Sequence, residues 1–131
     1  MKDTLRPGIR YRHEYTVPDA KTVPALYPES PEFQEMPKVF ATGFLVGLLE
    51  WACIRALHPH LDWPAEQTVG TRVDISHEAA TPPGLTVTAT VELVEVDGKR
   101  LVSRRTMAWT SSHAAGMNVS SSTAGNSTRA C

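Results

Sequence analysis

The clearest alternation in the chain is Ile9-Arg-Tyr-Arg-His-Glu-Tyr-Thr-Val17. Ile9, Tyr11, His13, Tyr15 and Val17 fall on one face, and Arg10, Arg12, Glu14 and Thr16 on the other. A period of two predicts a half-buried strand over 9–17. The stretch from Pro18 to Pro37, rich in proline and acid, reads as a loop with about one helical turn, its apolar members being Phe33 and Met36. From Gly43 to Leu57 apolar residues go most of the way round a helical wheel, so one helix buried on most sides is expected, with Thr42 as its N-cap and Pro59 beyond its end. Alternation returns over 68–79, where Val69, Thr71, Val73, Ile75 and His77 share a face. After the turn Thr81-Pro-Pro-Gly84, a third strand spans 85–96, and Asp97-Gly98 signals a hairpin. The order strand, helix, strand meander predicts an α+β domain, with an antiparallel sheet wrapped around one central helix. Such a helix needs cover on more than one side, which favours a homodimer.

Composition changes this picture little. With 131 residues and a formal net charge of −1, the chain suits one domain and gives no electrostatic reason to expect nucleic acid or an acidic membrane surface. The run from Ala41 to Leu57 is broken by Glu50 and Arg55 and is too short to cross a bilayer. The first residues hold no apolar signal segment, so a cytoplasmic protein is expected. Cys53 and Cys131 make no disulfide or metal framework, and Cys53 reads as a small buried residue. His58-Pro-His60 lacks nearby carboxylate or thiolate partners, so no metal is assigned.

Three residues carry candidate chemistry. Glu50 interrupts an apolar helix, where an ionised carboxylate is costly unless paired, hydrogen-bonded or protonated. It either reaches a solvated edge or serves a site. His77 on an apolar strand face is a satisfied core residue or a general base, and Thr42 is a cap or a reactive hydroxyl. The residues alone leave these alternatives open.

Beyond residue 103 the composition shifts to Ser, Thr, Ala, Gly and Asn, although the hairpin at Asp97-Gly98 calls for a full return strand. Met107-Ala-Trp-Thr is encoded ATG-GCN-TGG-ACN, which reads x-Gly-x-Asp when started one base earlier. Met117-Asn-Val-Ser shifts to a first residue from His, Asp, Asn or Tyr, then Glu, then Arg or Cys, then an aliphatic or Phe. We read 104–131 as an atypical tail translated out of frame, and 1–103 as the domain.

Tyr27-Pro-Glu-Ser-Pro-Glu-Phe33, Thr42-Gly-Phe-Leu-Val-Gly-Leu-Leu-Glu-Trp-Ala-Cys53, the surroundings of Gly70 and His77, and Ala80-Thr-Pro-Pro-Gly-Leu-Thr-Val87 resemble the fluoroacetyl-CoA thioesterases, enzymes of the hot-dog fold. That family continues with His-Asp-Gly-Val-Asp and Thr-His-Glu-Arg, which the shifted frame approximates at the same spacing. The resemblance implies hydrolysis of a short, fluorinated acyl-CoA without a cofactor. It implies catalytic roles for Thr42, Glu50 and His77, and places Gly70 beside the thioester carbonyl. Phe33 and Met36 take the positions of aromatic lid residues, Met36 replacing the usual Phe, and Val119 stands where the family has a late arginine. Two other functions compete: a non-catalytic acyl-CoA binder of the same fold, and an inactive truncated product.

Overall fold

The computed structural model describes residues 1–110 and 126–129, with side chains for 1–108. Four strands form one antiparallel sheet in the order β1 (Arg10–Thr16), β2 (Thr86–Asp97), β3 (Arg100–Thr110) and β4 (Asn126–Arg129). Three helices precede β2: α1 (Val23–Leu26), α2 (Pro31–Gln34) and the long α3 (Thr42–Leu57). The expected architecture, a sheet curved around one helix, is observed. Among the described residues no helix is long and apolar enough to cross a membrane.

Alternation explains the sheet. Val87, Ala89, Val91 and Leu93 of β2 are buried, and their row meets Leu45, Leu48, Leu49, Ala52, Cys53 and Ala56 of α3 in the core. β1 lies against β2 with Tyr15 opposite Val87 and Tyr11 opposite Val91. It also grips α3 through its side chains. The His13 ring meets Trp51 at 4.4 Å, and Arg55 Nε donates to the Tyr11 hydroxyl at 3.2 Å. The Asp97-Gly98 hairpin forms as expected, with Gly98 at φ +55°, a left-handed conformation that glycine adopts without a Cβ penalty.

Three expectations need correction. Residues 67–78 are not a strand. Their alternation is real, but no ladder partner lies beside them among the described residues, and Val69 is left 69% exposed. A period of two states which side chains share a face; it cannot supply the neighbouring strand. The N-cap of α3 is Ala41, with Thr42 as the first helical residue, because the extended Ala41 offers its carbonyl to the Leu45 N–H at 2.9 Å. Finally, α3 is not covered on most sides. Gly43 and Gly47 are exposed, and so is Trp51.

The chain does not change structure at residue 103, since β3 continues to Thr110. Its composition does change there. The inward row of β3 runs Leu101, Ser103, Arg105, Met107, and both Ser103 and Arg105 are buried. Arg105 Nε donates to Cys53 Sγ at 3.1 Å, so Cys53 is buried as expected but not surrounded by apolar groups alone. The expectations for Met117, Val119 and Cys131 lie outside the described residues.

The core is tight enough to test. Leu49, 2% exposed, packs between α3 and the sheet. Leu49→Ala is expected to lower unfolding free energy by about 2–5 kcal/mol, read as a shift in urea midpoint.

Candidate active site

The path of 67–81 along α3 positions the candidate residues. At one end, the buried Phe40 N–H donates to the Thr81 carbonyl at 2.7 Å, pinning this segment to the start of α3. At the other, Gly70 N–H donates to Glu50 Oε1 at 2.7 Å. The segment therefore runs antiparallel to the helix, and His77 falls beside Thr42. Thr42 Oγ1 and His77 Nδ1 are 2.8 Å apart, a hydrogen bond in which the tautomer of the ring decides the donor.

The predicted site residues thus meet as two pairs, Thr42 with His77 and Glu50 with Gly70. The carboxylate takes its described hydrogen bond from Gly70. Eight helical steps separate Thr42 from Glu50, about 12 Å along the axis. Both lie on the same side of α3 with Val46 midway, because positions four apart stack one above the other.

Gly70 is required by close approach. A Cβ there would lie 3.1 Å from Glu50 Oε1 and 3.3 Å from its carboxyl carbon. A side chain there would require the Glu50 carboxylate to give way by a few tenths of an ångström. The family resemblance implies a place for Gly70 beside the thioester carbonyl; in the structure its N–H holds Glu50. Only the folded path of the chain reveals that contact.

Burial lowers the His77 pKa from its ordinary value, opposed by a backbone hydrogen bond at Ala79. The ring is therefore neutral near pH 7, the form in which a nitrogen can accept a proton from a neighbouring hydroxyl or water.

Phe33 and Met36 lie on an excursion closed at its base by the Thr22–Phe40 bridge and by Val23 N–H donating to the Val39 carbonyl at 3.0 Å. Ser30 caps α2 by accepting from Phe33 N–H at 3.2 Å, and the Phe33 ring lies 5.8 Å from Tyr27. Met36 is 47% exposed. Neither residue is joined to Glu50 or His77 by a described hydrogen bond.

Residues 22–119 match the family described as fluoroacetyl-CoA-specific thioesterase, FlK. A fluoroacetyl-CoA thioesterase from Streptantibioticus cattleyicolor is 60% identical over 101 residues, covering 77% of this chain and 72% of that protein. A solved structure of an FlK variant in complex with fluoroacetate and CoA aligns with a TM-score of 0.81 at 50% identity, over 96% of this chain and 94% of that one. A hot-dog-like protein from Thermanaerovibrio acidaminovorans shares the fold, with a TM-score of 0.67 at 19% identity over 95% of this chain and 79% of its own.

The lowered pKa of His77 has a signed consequence. The unfolded chain binds this proton more readily than the folded one, so stability falls as pH drops below the ordinary histidine value of about 6.5. An NMR titration of the His77 ring is expected to show a midpoint below that value. A midpoint above it would mean that the ring is held as the cation.

Proposed function

Because the chain belongs to the fluoroacetyl-CoA-specific thioesterase family, we propose that it hydrolyses fluoroacetyl-CoA to fluoroacetate and free CoA, with Thr42, Glu50 and His77 as the catalytic groups. The observation that carries the site assignment is the pairing of Thr42 with neutral His77, and of Glu50 with the Gly70 amide. In the proposed reaction, one oxygen of Glu50 rests on the Gly70 N–H and the other takes a proton from water. The water oxygen attacks the thioester carbonyl, the C–S bond breaks, and the proton passes to the departing thiolate. The Thr42 hydroxyl, held by His77, donates to the carbonyl oxygen. The 2.8 Å contact also favours a second reading, in which His77 takes the Thr42 proton and the threonine oxygen attacks first.

The 12 Å between the two pairs is too long for one substrate carbon to meet both within one chain. A second copy removes the difficulty. If its α3 crosses antiparallel at Val46, its Thr42 lies opposite Glu50 and its Glu50 opposite Thr42, giving two composite sites about one twofold axis. The exposed Val69 and Val73 add apolar surface along the same flank. Met36, smaller and more flexible than phenylalanine, makes the cover looser, so acetyl-CoA is expected to be discriminated less strictly. The tail remains part of the proposal. A buried Arg105 in the row that continues Leu101 suits a segment whose pattern was not selected for this sheet, and 104–131 is read as out of frame.

Hydrolysis of fluoroacetyl-CoA and acetyl-CoA provides the test. Glu50→Gln and His77→Ala are each expected to lower kcat/KM by about 100-fold or more. Full activity in either variant would remove that residue from the mechanism. Co-expressing Thr42→Ala with Glu50→Gln separates the composite site from a single-chain one. Mixed dimers carry one intact Thr42–Glu50 combination, so activity should return; no recovery would mean that both residues act from one chain. Restoring the reading frame after residue 103 is expected to raise activity by rebuilding the return strands, and equal activity of the two chains would refute that account.

A further inference from the structure

Beside the candidate catalytic flank, α3 carries a second arrangement that the proposed reaction does not use. Tyr15, Phe40, Phe44, Leu48 and Trp51 wall a half-open cavity of about 220 Å³, whose floor is the bare helix backbone at Gly43 and Gly47. Neither Thr42, Glu50, Gly70 nor His77 lines it.

The two glycines differ in what explains them. At Gly43 a Cβ would press on the Leu26 side chain at 3.1 Å, so packing against α1 accounts for the missing side chain. At Gly47 nothing lies within 4 Å of an added Cβ. Glycine in a helix interior destabilises it relative to alanine, and within this chain Gly47 gains no packing in return. The missing side chain leaves the cavity open at this point. Trp51 stands 45% exposed on the next turn, which leaves a large aromatic face available at the cavity wall. Lys21 also lines the cavity, its ammonium 4.6 Å from the centre of the Phe44 ring, with no carboxylate partner among the described ion pairs. An ammonium on an aromatic face, beside apolar walls, is complementary to an anion whose body is apolar. The volume is below that of pockets for drug-sized ligands, which limits the occupant to a small molecule.

We propose that this cavity is a second, non-catalytic ligand site that takes a small organic carboxylate with an aromatic or compact apolar body. The carboxylate lies at Lys21 and the body lies on Gly47, between Phe44 and Trp51. The proposal stands apart from the thioesterase reading, since none of its residues belongs to the catalytic pairs.

Benzoate, with benzyl alcohol as its uncharged counterpart, tests it by calorimetry and by the indole N–H resonance of Trp51, assigned with Trp51→Phe. Benzoate is expected to bind saturably and shift that resonance, with benzyl alcohol at least tenfold weaker. Lys21→Gln should weaken benzoate at least fivefold, and Gly47→Leu should abolish binding by filling the floor. Both variants should keep their thioester hydrolysis. If Gly47→Leu fails to fold by circular dichroism, the Lys21→Gln and benzyl alcohol comparisons decide. Equal binding of the two probes, or unchanged affinity in Lys21→Gln, overturns the proposal. So does a stable dimer that excludes benzoate and is broken by Gly47→Leu, which would assign the cavity to a second copy of the chain.

Discussion

The hydrogen bond from Phe40 N–H to the Thr81 carbonyl, 2.7 Å and between two buried residues, is the constraint on which the site depends. In a low-dielectric setting an amide left without its partner is costly, so this contact resists opening. It fixes three things together. It ends the excursion bearing Phe33 and Met36, sets where α3 begins, and anchors the segment that brings His77 to Thr42. Moving any one of them would displace the other two.

Much of the fold was legible because its pattern is local. Alternation in 9–17 and 85–96, the apolar run of α3 and the Asp97-Gly98 turn each specify an element within a few residues, and each appears within about a residue of its expected bounds. Segment 67–80 was misread because strand character is a relation between neighbours, and no described strand lies beside it. Glu50 stood out as the one carboxylate in an apolar helix. Its partner did not, because a backbone amide leaves no mark in sequence. Gly70 could have been read as a close approach, yet nothing local says what approaches. The family resemblance supplied the names of the candidate residues, while the two-pair arrangement needed the path of the chain.

One helix serves two flanks with different chemistry. On one side Thr42, Val46 and Glu50 line up along the candidate site, and on the next Gly43, Gly47 and Trp51 leave a hollow bounded by rings. The division follows from helical geometry, since side chains one step apart point about 100° away from each other. A change in either flank can therefore be made without placing a new group in the other.

The register of β1 bears on how the molecule is assembled in time. β1 is made before β2, its one ladder partner among the described strands, and Thr16 pairs with Thr86 across 70 residues. The β2–β3 hairpin, by contrast, closes across a two-residue turn and gains its ladder at little entropic cost. On a ribosome, the apolar face of β1 must wait, solvent-accessible, until most of the domain has emerged. During that interval the Tyr11 and Tyr15 face of β1 is uncovered, and the alternating Arg10, Arg12 and Glu14 are charges of the kind that disfavour strand-to-strand association.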